Sequence, residues 1–325
     1  MTRWAKDKGA ALVTVLVMVS IMAALAIVAT HAARASVQRA SNQRQMDQAR
    51  WYLMGAETYA AAQIARLARV EGRAPNDASE WEGRALTYPL DDGLMQATLR
   101  DGDNCFNLNS IVEGTEAGAL VASARGQVHF ARLLDLTGVR GDLSLAAALA
   151  DWIDSDSETG AGGAEDDAYE GRWRTPNSLI GDVSELAHVR GFTAEAIAAL
   201  RPYVCVRPTA EPNRLNVNTL RPERGALLSV LMGDALSANA ARDLLRTRPP
   251  GGWESVEAFL AQPQLLGAEQ GDLAQQLSVQ TRYYVLAARV SRGDLTETSL
   301  ALIESGQRAR VVRRIFGAGA SEHLM

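Results

Sequence analysis

Residues 1–30 read MTRWAKDKGAALVTVLVMVSIMAALAIVAT, and the junction at Gly9 decides how the chain folds. Arg3, Lys6 and Lys8 precede it, and no charged residue occurs from position 10 to 30. About 20 apolar residues suffice for a helix to cross the hydrocarbon core of a bilayer, and a basic flank holds that end on the cytoplasmic side. Residues 1–9 are therefore expected to be a cytoplasmic leader and residues 10–30 a membrane span, with the bulk of the chain on the far side. A secretory signal peptide, with Ala33 and Ala35 as its cleavage site, is the rival reading. Its apolar core is usually about 7 to 15 residues, shorter than the run here.

The helical pattern also continues past the apolar run. From 31 to 70 there is no proline and one glycine, Gly55, while Tyr52, Leu53, Ala56, Tyr59, Ala60, Ile64 and Leu67 recur three and four apart. One rod over residues 10–70 would be roughly 90 Å long. Beyond it, ALTYPL and LMQATLRDG read as two strands, and 282–290, 296–305 and 308–316 as a C-terminal meander turned by SRGDL and Gly306-Gln307. The fold class is α+β: a long N-terminal helix packed on an antiparallel sheet whose strands flank a large, mainly helical insertion.

That insertion carries an internal repeat. FNLNSI (106–111) is echoed by LNVNTL (215–220), and AAALADWIDSD (146–156) by ANAARDLLRTR (238–248). Each copy reads as an asparagine-capped entry followed by short helices. The expected units are residues 31–105, periplasmic helix and first strands; 106–205, first helical module; 206–275, second module; 276–316, closing strands; and 317–325, a tail. The second module looks like a helix-hairpin-helix or SAM-like unit, which raises a DNA-binding alternative. Its hairpin, LMGDALS, offers only Gly233 beside Asp234, an acid that repels phosphate. The chain carries a formal charge of −5, which becomes −7 without the leader, so no nucleic-acid partner is expected.

The most chemically pointed segment is DWIDSDSETGAGGAEDDAYE, 151–170. Counting Asp154 as position 1 puts Asp156 at 3, Glu158 at 5 and Glu165 at 12, near the ligand spacing of an EF-hand loop, although Thr159 stands where that loop needs glycine. Asp151, Asp166 and Asp167 bring the acids to seven, wrapped around flexible glycines. They repel one another unless a cation gathers them, and calcium suits oxygen ligands in an irregular cage. Asp154, Asp156 and Glu165 are the first-choice ligands; a solvated acidic loop is the alternative. Cys105 and Cys205 read either as a disulfide clipping the base of the insertion, each ending an apparent strand, or as two unrelated buried thiols. No nucleophile, base and oxyanion set stands out among four histidines, so no enzyme is expected.

The basic leader, Gly9, small Ala10 and apolar helix resemble the signal of type IV pilins and type II secretion pseudopilins. The resemblance implies cleavage between Gly9 and Ala10 by a prepilin peptidase, methylation of the new N-terminus, and an inner-membrane anchor. Pilins carry a glutamate five residues after the cut, and here that position is Thr14. In this absence the chain resembles the K-type minor pseudopilins of type II secretion. Their D-W-[IL]-D-x-D…G-A-E-D…Y stretch is matched at Asp151, Trp152, Ile153, Asp154, Asp156, Gly163, Ala164, Glu165, Asp166 and Tyr169. What this implies is bound Ca2+, a tip complex with I- and J-type minor pseudopilins, and a part in initiating and capping the fibre. A minor pilin of a type IV pilus or competence system, or a membrane-tethered DNA receptor, are the alternatives.

Overall fold

The computed structural model describes residues 6–70, 81–116, 118–171, 173–211, 214–266 and 273–317. The first five residues of the expected leader and the tail beyond 317 lie outside them. Helix α1 (Lys6–Val70) is one uninterrupted rod of 65 residues, so the Gly9 junction lies inside the helix of the uncut chain. Every side chain from 10 to 40 is exposed, and among the described residues this is the one helix long and apolar enough to cross a membrane. Thr14, Ser20 and Thr30 return their hydroxyls to the carbonyls of Ala11, Leu16 and Ala26, which satisfies those polar groups without water.

Two strands follow, β1 (Ala85–Leu90) and β2 (Gly93–Asp101), joined by a tight turn at Asp91-Asp92. Gly93 is required there: a Cβ would lie 2.2 Å from the Ser291 carbonyl oxygen. The first helical module contains β3 (Phe106–Asn107), the small hairpin of β4 (Val112–Gly114) and β5 (Leu120–Ala122), helices α2 (Ala124–Leu136), α3 (Asp142–Ile153) and α4 (Ala194–Leu200), and β6 (Val204–Cys205). The second contains β7 (Leu215–Asn216), α5 (Gly225–Met232), α6 (Ala238–Arg246), α7 (Val256–Leu260), α8 (Leu273–Gln276) and β8 (Leu277–Ser278). The chain then returns to the sheet with β9 (Tyr283–Arg292), β10 (Leu295–Glu304) and β11 (Arg310–Phe316).

The sheet is antiparallel throughout, in the order β1-β2-β9-β10-β11, so its centre joins strands from either side of the insertion. Alternate side chains of β9, Leu286, Ala288 and Val290, face α1 with Ala97, Ala301 and Ile303. They meet a stripe of Ala49, Leu53, Ala56, Ala60 and Ile64 on the helix, whose small residues let rod and sheet approach closely. The sequence pattern placed Tyr59 on this stripe, but it is exposed and its ring meets Tyr88 edge-on at 6.4 Å. Glu57 takes the buried position instead, because Arg314 of β11 chelates both of its oxygens at 2.8 Å.

Both junctions of the insertion lie at one end of the sheet, where Asp101 pairs with Tyr284. Tyr283 pairs with Glu304 at that same end, and the adjoining residues Arg308, Ala309 and Val311 lie beside Ala61, Ala62 and Ala65 of α1. At the opposite end Glu297 bonds Arg50, nearer the apolar stretch. The insertion therefore leaves the sheet at the end remote from the apolar half of the rod.

The two modules share one core, in which Phe130, Leu149, Leu186, Leu228 and Phe259 belong to a single packed cluster. Their repeat is structural. In each, the first asparagine accepts from the amide of the second, Asn107 from Asn109 at 3.3 Å and Asn216 from Asn218 at 3.0 Å. The second asparagine then pinches a returning loop with its amide: Asn109 to Ile180 at 2.9 and 3.0 Å, Asn218 to Trp253 at 2.8 and 2.9 Å. Parallel two-residue pairings close each module, β3 with β6 and β7 with β8. Because β8 closes the second module, the boundary expected at 275/276 falls inside it and moves to about residue 280. Cys105 stands before β3 rather than ending a strand, and its sulfur lies 1.99 Å from that of Cys205 at the end of β6.

Candidate metal centre

Helix α3 delivers the acidic segment. It ends at Ile153, and Asp154 leaves the helix in extended conformation (φ −67, ψ 168), which sends the chain outward as a loop. Asp151, one turn earlier and buried, folds that loop back: its carboxylate accepts from Gly160 N–H at 3.1 Å and Ala164 N–H at 2.8 Å. The approach is possible because residue 163 is glycine, where a Cβ would sit 2.0 Å from Asp151 Oδ2. Trp152 and Tyr169 pack edge-to-face at 5.4 Å beneath the loop, and the Tyr169 hydroxyl accepts from Arg190 N–H at 3.2 Å. Compared with the second module, where α6 and the Trp253 pinch are joined by six residues, 247–252, the first spends 26 residues, 154–179, between α3 and Ile180. The acidic loop is thus an addition to a repeated scaffold.

The fold brings three of the seven acids together. Asp154, Asp156 and Glu165 each present an oxygen within 4.8 Å of the others. Ligands bound to one calcium at about 2.3–2.6 Å lie no more than roughly 5 Å apart, so the cluster has the required span. Asp154 and Glu165 are buried, yet Asp154 Oδ1 and Glu165 Oε1 have no hydrogen-bond donor among the described residues. Two buried carboxylate oxygens left without donors are costly in the absence of a cation. Burial first, then the neighbouring charges of Asp156, Asp151 and Glu165, pushes the Asp154 carboxyl up to about 7. Burial also raises Glu165 and Asp151, against hydrogen bonds from Thr175 and from the Gly160 and Ala164 amides respectively.

The other acids take different places. Asp151 is occupied in holding the loop. Glu158, Asp166 and Asp167 are exposed; Glu158 only donates its amide to Asp156 Oδ1 at 2.8 Å, and Asp166 Oδ1 accepts from Thr175 N–H at 2.8 Å. Two polar residues that sequence reasoning passed over complete the wall. Thr175 donates its hydroxyl to Glu165 Oε2 at 3.0 Å, and Asn177 donates to the Asp156 carbonyl at 2.6 Å while its own Oδ1 is buried without a donor. Asn177 has φ +47, a backbone conformation that asparagine tolerates.

A second polar cluster joins the insertion to the sheet. Asp101, half-buried and pushed up to about 7 first by desolvation and then by Asp103, accepts from Thr219 at 2.7 Å, Asn216 at 3.0 Å and the Thr281 hydroxyl. Asp103 accepts from Arg207 at 2.8 Å and from the backbone amides of Arg282 and Tyr283 at 2.6 and 3.1 Å. These bonds reach the sheet, the second module through Asn216 and Thr219, and Arg207 in the link after β6, whose amide in turn donates to Asn107 of the first module at 3.1 Å. The hairpin of the second module lies at the surface, where Arg132 of α2 bonds the exposed Asp234 at 2.9 Å and the Gly233 carbonyl at 2.5 Å.

A membrane-length helix continuing into a packed rod on an antiparallel sheet, with its strands parted by a helical insertion, defines a pilin-like subunit. Two family models described as type II secretion system (T2SS), protein K, match residues 104–209 and 215–280. The type II secretion system protein K of Klebsiella pneumoniae is 34% identical over 318 residues, 96% of this chain and 97% of that protein. That of Pectobacterium carotovorum subsp. carotovorum is 32% identical over 320 residues, 96% and 97%. Among solved structures, a chain of the GspK-GspI-GspJ complex from the enterotoxigenic Escherichia coli type 2 secretion system aligns with a TM-score of 0.73 at 28% identity, over 86% of this chain and 99% of that one. The chain belongs to the type II secretion system protein K family, and its fold is that of a minor pseudopilin.

Proposed function

We propose that this subunit caps the pseudopilus of a type II secretion system, starting the fibre in a complex with I- and J-type minor pseudopilins, and contributes structure rather than catalysis. In this reading a prepilin peptidase cuts after Gly9, α1 anchors the subunit in the inner membrane, and the remainder lies in the periplasm. The observation that carries the proposal is the attachment of the insertion at the end of the sheet remote from the apolar half of α1. A second subunit stacked above would meet that bulk, whereas subunits added below meet only the rod. Thr14 points the same way. A subunit with no carboxylate at that depth has nothing to neutralise the N-terminal ammonium of a neighbour one step above. The solved GspK-GspI-GspJ complex supports the choice of partners.

Asp154, Asp156 and Glu165 would hold Ca2+ in this proposal, with Asn177 near them. The ion supplies only charge neutralisation, while the residues of the loop fix its path through Asp151 and Thr175. Immunogold labelling of isolated pseudopili with an antibody to the insertion tests the cap: label at one end supports it, and label along the length removes it.

A further inference from the structure

On the face of the sheet turned away from α1, a groove of about 200 Å³ runs between the strands and the helical modules. Its floor is apolar, built from Val285, Leu302 and Ile315. Its wall carries Arg100 of β2 together with Arg221 and Arg224, which lead into α5. Arg100 and Arg221 form no ion pair with any described residue, and Arg224 donates only to the Asn104 carbonyl, at 3.0 Å. The acids that line the groove are engaged: Asp101 by Thr219 and Asn216, Asp182 by Arg313 at 2.6 Å, and Glu82 by the Asp101 amide at 2.6 Å. Burial and the positive charges of Arg221 and Arg100 hold Arg224 below its usual range, with Glu82 as the opposing charge.

We propose that this groove receives an acidic segment of a partner protein, one carboxylate side chain entering among Arg100, Arg221 and Arg224 while an adjacent apolar residue covers Val285, Leu302 and Ile315. A guanidinium pairs with a carboxylate through two parallel N–H donors, and three guanidiniums facing the single carboxylate of Glu82 keep an excess of positive charge that a second carboxylate relieves. The volume is below the roughly 300–1,000 Å³ of small-molecule pockets and suits one or two side chains. A lipid headgroup is a poor occupant, because the sheet packs on α1 from Ala49 onward, and Ala49 lies roughly 28 Å along the helix from residue 30. A nucleic acid needs a continuous basic track, and this groove is an isolated basic spot on a chain of charge −5. The segment would bind whether or not the subunit sits at a fibre tip.

The test uses the full-length chain in non-ionic detergent micelles and a fluorescent hexapeptide of alternating Glu and Leu, read by anisotropy. A peptide with Gln in place of Glu is the control, and inorganic phosphate the competitor. The proposal expects the acidic peptide to bind at least tenfold more tightly than its Gln counterpart. Arg221→Glu, at an exposed position, should lose at least fivefold with an unchanged melting curve, and Arg100→Gln should lose a comparable factor. Equal binding of the two peptides, or variants that bind as well as the parent, would overturn it. Displacement of the peptide by phosphate at equal concentration would overturn it as well, leaving a simple anion site.

Discussion

Removal of calcium from the acidic loop should make the insertion less stable, and the loss should grow with pH. The Asp154 carboxyl, displaced from its ordinary 3.8 to about 7, binds its proton more tightly in the fold than in the unfolded chain. Stability therefore falls as pH rises through that interval, by at most about 4 kcal/mol from pH ~4 to pH ~8, a ceiling that solvent screening at the loop lowers. Glu165 and Asp151 are raised too and push in the same direction. Calcium opposes this loss, because it binds the ionised form. At one hundred times its dissociation constant it adds about 2.7 kcal/mol, which for a unit of this size is a rise of roughly 5–10 °C in melting temperature. The assay is calorimetric melting of the full chain in detergent, with calcium and with chelator, across the range from pH ~5.5 to ~8. Asp101 titrates in the same range with or without the ion, so the difference between the two curves isolates the loop. The gap should be widest at high pH and close toward pH ~5.5, and Asp154→Asn with Glu165→Gln should abolish it. Superimposable curves at every pH, with no calcium uptake at millimolar concentration, would return the segment to a solvated acidic turn.

Mass spectrometry of the membrane fraction should find Ala10 as the mature, methylated N-terminus; an N-terminus near Ala35 would mean a secreted soluble protein. Non-reducing peptide mapping should recover Cys105 joined to Cys205, and replacing both by alanine should cost about 2–4 kcal/mol; free thiols in oxidised protein would refute the bridge. Asn218→Ala removes both bonds to Trp253 and leaves its amide and carbonyl buried, a loss of about 2–4 kcal/mol on the usual cost of orphaned polar groups, read from denaturant midpoints against the parent. Photo-crosslinkers on the exposed face of α1, at Trp51 or Thr58, should capture I- and J-type partners; crosslinks confined to the insertion would count against recognition through the rod.

The rod, the strand segments and the paired N-x-N motifs were legible because each depends on neighbours within a few residues: hydrophobic run length, helical spacing, turn chemistry and asparagine capping. Seven acids in 151–167 marked an acidic loop on the same terms. What the sequence did not order was convergence. That Asp154, Asp156 and Glu165 meet, while Glu158, Asp166 and Asp167 face water, follows from Asp151 drawing Gly160 and Ala164 back onto the end of α3. A buried Glu57 on the rod stands because Arg314 reaches it from 257 residues away, and β8 belongs to the second module because β7 pairs with it. Local propensity is set by contacts that any isolated stretch of the chain already makes. Which charges are paired, buried or left facing one another is set by segments distant in sequence arriving at one place, and only the packed tertiary structure brings them there.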